Sequence, residues 1–187
     1  MARQDKILFY KQLITVNIMP DCYGVEKSIT TEDLISTAYA DYADASVKEV
    51  FSMMSGINIE RIKAPKYESA LCGLDEMTAI VGISGSRRGS FQIRISSSAA
   101  RTIASAMLGG EHIDENDGSI DDALGEICNM IAGGWKNSIL VFSGCTMSPP
   151  TVVSGQNYKV HFHKPSLQLV RTYMFSEHTL SLVVYIE

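Results

Sequence analysis

Several features that mark specialised proteins are missing from this 187-residue chain. Lysine and arginine form no run or stripe, and the formal net charge is −5. A chain so balanced cannot track a phosphate backbone, so nucleic-acid binding is excluded as a main function. Long apolar runs are absent too. Leu182–Ile186 is typical of the longest and falls far short of the roughly 20 residues that a membrane helix needs. The N-terminal segment lacks signal-peptide anatomy, because Lys6, Lys11, Gln12 and Asn17 interrupt its apolar residues. The four cysteines, Cys22, Cys72, Cys128 and Cys145, form no C-x-x-C pair. They are expected to be reduced thiols in the cytoplasm rather than disulfides or zinc ligands.

Hydrophobic residues make up 45% of the sequence, which is ample for one packed domain of this length. The most informative segment is Asp122-x3-Glu126-x2-Asn129-x3-Gly133, within DDALGEICNMIAGGWKNSILVF. At about 100° per residue these four positions share a narrow arc of one helix face. The opposite arc collects Ile120, Leu124, Ile127, Ile131, Trp135 and Phe142, so a helix over Ile120–Phe142 would bury one side and present the motif on the other. A glycine inside a helix costs roughly 0.8–1.0 kcal/mol relative to alanine. On an outward face Gly133 therefore suggests close approach by something else.

Other elements follow from periodicity and punctuation. Residues 1–36 read as an N-terminal extension, with short strands around Ile7–Phe9 and Leu13–Ile18 and a turn at Pro20–Gly24. Ser28 is its candidate helix cap. A helix is expected over Leu34–Gly56, burying Leu34, Ala38, Val47, Val50, Phe51 and Met54. Strands are expected at Tyr67–Cys72, Met77–Ser84 and Ser90–Ile95, the last two joined by a hairpin at Gly85–Gly89. Ser96 caps a helix over Ala99–Leu108, and four strands close the chain at Thr151–Ser154, Tyr158–His163, Leu167–Phe175 and Leu180–Ile186. Met53, Met54, Met107, Met130 and Met147 read as core filler. The fold class expected is α+β, with long helices packed on one face of an antiparallel sheet. Glu49–Gly56 can also be laid on Glu126–Gly133, which points to a pseudo-two-fold internal repeat. Its first copy has Ser52 in place of Asn129 and Ala45 in place of Asp122.

An acid and an amide three residues apart do not make a self-contained active site. A carboxamide is no general base, but it holds a water in one orientation by accepting one hydrogen bond and donating others. Glu126 offers a fixed negative charge to a lysine or arginine. The alternative is that Asp122, Glu126, Asn129 and Lys136 form an ordinary solvated face. His161 and His163 lie two apart on one strand face, but no third ligand is evident, so no metal site is expected. Gly82-x2-Gly85-x3-Gly89 is not followed by Lys-Ser/Thr, so it is a turn rather than a phosphate loop. Arg87 and Arg88 are solvated at its tip.

The Asp122/Glu126/Asn129/Gly133 pattern resembles the signature of the CheC/CheX/FliY phosphatases of bacterial chemotaxis. The Leu124-Gly-Glu-Ile, Ser148-Pro-Pro-Thr-Val-Val-Ser-Gly155 and Gly82-Ile-Ser-Gly85…Gly89-Ser segments resemble the CheX branch, over roughly residues 40–187. The resemblance implies a phosphatase domain at 37–187 that removes the aspartyl phosphate from a CheY-like response regulator. Asn129 would orient the attacking water and Glu126 would pair with the regulator's lysine. Gly133 would admit the partner's surface, with Asp122 at the edge of the contact. It also implies that the regulator supplies Mg²⁺, that this chain binds no cofactor, and that a homodimer forms. A non-catalytic adaptor that binds a regulator or flagellar-switch component through the same helix is the alternative.

Overall fold

A computed structural model describes residues 31–63, 76–114, 118–156, 158, 160 and 167–187. Helix α1 spans Thr31–Ser55, and strand β1 Glu60–Ile62 follows it. The hairpin is β2 Glu76–Gly85 with β3 Gly89–Ser96. Helix α2 covers Ser97–Met107 and helix α3 Ser119–Ser138. A 3₁₀ turn at Leu140–Phe142 leads to β4 Cys145–Met147, β5 Thr151–Gly155, β6 Leu167–Phe175 and β7 His178–Ile186. All strand pairs are antiparallel, in the order β1-β6-β7-β3-β2-β4, with β5 also paired to β2. The α+β architecture of helices on an antiparallel sheet is therefore as expected.

Alternation along the strands explains why the helices lie where they do. Met77, Ala79, Val81 and Ile83 of β2 are buried, as are Phe91, Ile93 and Ile95 of β3 and Leu180, Leu182 and Val184 of β7. With a side-chain period of two, these residues line one face. Cys128 of α3 reaches that face, its Sγ 3.5 Å from the Ala79 carbonyl oxygen. The intervening residues include Thr78, Gln92, Arg94 and Ser181 along with Ile80 and Val183, and Arg94 pairs with Glu76 at 2.8 Å while the Thr78 and Tyr158 hydroxyls meet at 2.6 Å.

Helix α3 is held on three sides. Toward the sheet, Trp135 is wholly buried, its ring centroid 5.0 Å from Phe142 and 5.9 Å from Phe91. Its indole N–H donates to the Tyr39 carbonyl of α1 at 2.9 Å. Toward α1, Gly134 allows such close contact that a Cβ there would strike Ser46 Oγ. That hydroxyl donates to the Ile131 carbonyl at 2.9 Å. On the third side, a Cβ on Gly125 would sit 3.4 Å from Pro150 Cγ. At the far edge, the Tyr173 hydroxyl donates to Asp44 Oδ1 at 2.6 Å, and Arg61 pairs with the same carboxylate at 3.0 Å. This ties α1 to β6.

Several expectations change in detail. The long helix ends at Ser138, not Phe142, because Ile139 turns extended (φ −117°, ψ 110°). Phe142 stays buried through the 3₁₀ turn instead. Ala38 is exposed, and the buried side of α1 is Ala40, Ala43, Val47, Val50 and Phe51, a phase that the small alanines concealed. Met53 is 62% exposed and is no core filler, whereas Met54, Met107, Met130 and Met147 pack against the core. Helix α1 starts at Thr31, and one compact unit runs from there to Glu187. Gly56 closes α1 at φ 65°, while Gly133 lies inside α3. The expected Tyr67–Cys72 strand, nearly all of Tyr158–His163, and the elements before residue 31 lie outside the described residues.

Candidate functional site

Every motif side chain comes from α3. Asp121 and Asp122 occupy its first turn and Lys136 its last, the arrangement that suits a helix dipole. Ala123, Leu124, Ile127, Cys128, Ile131, Ala132 and Trp135 are buried, so helical geometry turns Asp122, Glu126, Asn129 and Gly133 outward together. Asp122 and Glu126 are exposed, while Asn129 and Gly133 are half-buried. Among the described residues, neither Glu126 nor Asn129 has a side-chain hydrogen-bond or ion-pair partner. Both present their full bonding capacity outward from a helix that is fixed on its other sides.

Beside them lies a groove of about 580 Å³ lined by Asp121, Asp122, Gly125, Glu126, Pro150 and Val152. Three carboxylates line the helix side and apolar atoms line the other. Such a groove repels free phosphate and attracts a cation.

The four predicted residues are thus brought onto one surface. Among the described residues, a Cβ on Gly133 would meet only Met147 Cε, at 3.9 Å. Sequence reasoning missed Gly125 and Gly134, which serve contacts with Pro150 and Ser46, and it missed the groove wall at Pro150 and Val152. A glycine outside the exposed arc was the available signal for the first two. Arg87 and Arg88 are exposed, and Gly85 adopts φ 119° in the turn. No group of three or more potential metal ligands occurs among the described residues. His161 and His163 are outside them. His178 Nε2 lies 3.1 Å from Thr102 Oγ1. Cys128 and Cys145 are free thiols. Burial pushes the Cys128 thiol up to about 12, only partly opposed by a backbone hydrogen bond from Ile93, so it is no nucleophile.

A family model described as chemotaxis phosphatase CheX matches residues 77–172, a span that includes the whole motif and Ser148–Pro150. The chain belongs to the CheX family. The CheY-P phosphatase CheX of Thermotoga maritima is 33% identical over 107 residues, covering 57% of this chain and 68% of that protein. The crystal structure of CheX from Vibrio vulnificus superposes with a TM-score of 0.67 at 23% identity, over 81% of this chain and 98% of that one. CheX in the CheX–CheY–BeF3–Mg²⁺ complex from Borrelia burgdorferi gives a TM-score of 0.64 at 24% identity, over 80% and 97% of the two chains. No described helix is long and apolar enough to cross a membrane.

Proposed function

We propose that this chain accelerates hydrolysis of the aspartyl phosphate on a CheY-like response regulator, by docking the outward face of α3 at the regulator's phosphorylation site. Asn129 orients the attacking water in line with the phosphorus, accepting from it and donating to the phosphoryl group. Glu126 pairs with the regulator's lysine and fixes the helix in register. Asp122 lies at the edge of the contact, and Gly133 admits the partner surface. The regulator brings Mg²⁺ and the charged pocket, and no cofactor resides in this chain. Phosphoryl transfer through a loose transition state depends mainly on positioning and electrostatics, and a rigid helix supplies positioning. The catalytic unit is residues 37–187, it acts in the cytoplasm, and the first-copy helix with Ser52 is silent. A homodimer is part of the same reading.

The observation that carries this proposal is the pair Glu126 and Asn129, outward on a fixed helix and without side-chain partners among the described residues. An adaptor needs no unbonded amide beside its anchoring acid. The test is phosphate release from a phosphorylated CheY-like regulator of the same organism in Mg²⁺. Asn129→Ala should slow it roughly 10²-fold or more, as expected for losing an oriented transition-state group, while binding stays nearly intact. Glu126→Ala should weaken both, through loss of a charge-assisted contact. Regulator binding without acceleration by the wild type would establish the adaptor instead.

A further inference from the structure

The connector between β4 and β5 does more than join two strands. Ile83 of β2 faces Met147 and Ile80 faces Thr151. Between those pairs β2 has two residues, Val81 and Gly82, whereas the opposing chain has three, Ser148, Pro149 and Pro150. This is a β-bulge, a device that bends an edge strand and re-aims its side chains. It is pinned at its base, where the Ser148 N–H donates to the Gly82 carbonyl at 2.9 Å and the Gly82 N–H donates to Ser148 Oγ at 2.9 Å. Two consecutive prolines fix the backbone φ of the outer part.

Both ends of this segment meet α3 at a glycine. Pro150 lies against Gly125, and Met147 lies beside Gly133. Those glycines are about 12 Å apart along the helix at 1.5 Å per residue, and Glu126 and Asn129 fall between them. The segment therefore runs as an exposed, rigid ridge alongside the working part of the helix. Ser148, Pro149 and Pro150 are all exposed.

We propose that Pro149 and Pro150 form a second contact ridge for the phosphorylated regulator, so that the partner is gripped between the ridge and the outward face of α3. The occupant fits the groove's two walls. A regulator lysine or arginine lays its aliphatic stem on Pro150 and Val152 and turns its charged head toward Glu126. Amphipathic side chains bury their stems and keep their heads polar in this way. Pro150 thus sets the depth and rotation at which Asn129 enters the phosphorylation site. It is a positioning residue, and the inference rests on the function proposed above.

The test compares Pro150→Gly, Pro149→Gly and Asn129→Ala with wild type, using the full chain and a phosphorylated CheY-like regulator in Mg²⁺. Wild-type acceleration is the first requirement, and its absence overturns the proposed function rather than the ridge. Given that acceleration, the glycine variants, which remove the proline ring and its fixed φ without adding charge, should raise KM about tenfold, the size of one lost interface contact, with the effect in KM rather than kcat. Asn129→Ala should do the reverse. Thermal unfolding separates structural damage, which lowers Tm and the active fraction without moving KM. KM unchanged in whichever proline variants fold as wild type overturns the ridge. Should both variants prove unfolded, the bulge is structural and the inference is also overturned.

Discussion

Gly133 and Gly134 are adjacent in sequence, yet their surroundings differ, Gly134 packing on Ser46 while Gly133 has room for a methyl group. In Gly134→Ala the new methyl would strike Ser46 Oγ. Ser46 is only 4% exposed and its hydroxyl donates to the Ile131 carbonyl at 2.9 Å. To make room, Ser46 must rotate away and leave a buried hydroxyl unsatisfied, at about 1–3 kcal/mol. Helix propensity returns about 1 kcal/mol. The net loss is about 0–2 kcal/mol, which lowers Tm by up to roughly 8 °C in a chain of this size. The double variant Ser46→Ala/Gly134→Ala removes the hydroxyl and leaves the methyl 3.4 Å from the residue 46 Cβ. It should recover to within about 1 kcal/mol of wild type, a coupling expected of contacting residues. Gly133→Ala meets no obstacle, so it should stabilise by about 0.4–1 kcal/mol. If the regulator approaches there, the same variant should lose phosphatase activity about tenfold, as for a disturbed interface contact. Urea denaturation and phosphate release measure the two effects separately. Equal destabilisation by the two alanines, or no relief from Ser46→Ala, would refute the packing argument. Full activity of Gly133→Ala would remove the partner from that point.

Two further outcomes follow from buried groups. Burial raises the Cys128 thiol to about 12 and raises the Tyr173 hydroxyl as well, so both stay protonated in the native state while the unfolded chain ionises. Their stabilising contribution is complete below about pH 8.5 for the thiol and pH 10 for the phenol, and is lost as pH rises toward the folded values. Stability should fall above pH 9 by up to about 1.4 kcal/mol per pH unit for each ionising group. Cys128→Ala should flatten the lower part of that slope in urea titrations at pH 8–11, and an unchanged slope would discount the thiol. Tyr173→Phe removes the 2.6 Å bond to Asp44, but Arg61 remains on that carboxylate. The cost should be about 1.5–2 kcal/mol, the lower part of the range for a hydrogen bond to a charged group, read as a shift in the urea midpoint.

The motif helix and the hairpin were legible because each has a strong local signal. In α3 an unbroken apolar stripe from Ile120 to Trp135 sets the phase, and that phase alone turns Glu126 and Asn129 outward. In the β2–β3 hairpin, alternation and the Gly85–Gly89 turn agree. Where small residues set the phase the signal is weak, so periodicity puts Ala38 on the buried side of α1 although Ala40 and Ala43 hold it. The stop at Ser138 has no sequence mark, since no glycine or proline follows within the next five residues, and the turn there carries Phe142 into the core. The groove beside the motif was illegible for a different reason. Pro150 and Val152 reach α3 only because β4 and β5 share β2 as a neighbour, a long-range pairing that periodicity does not encode.

The Ser148–Pro150 bulge has a consequence for solubility. Among the described residues, the sheet ends along this side of β2 in two short strands separated by the bulge, and two of the bulge residues have no amide hydrogen to offer a further strand. An incoming chain therefore finds no continuous row of donors and acceptors to extend the sheet. Short, interrupted, proline-bearing edges are how soluble β-proteins resist joining edge to edge. The segment that flanks the motif thus also blunts the edge where aggregation of the native fold would otherwise begin.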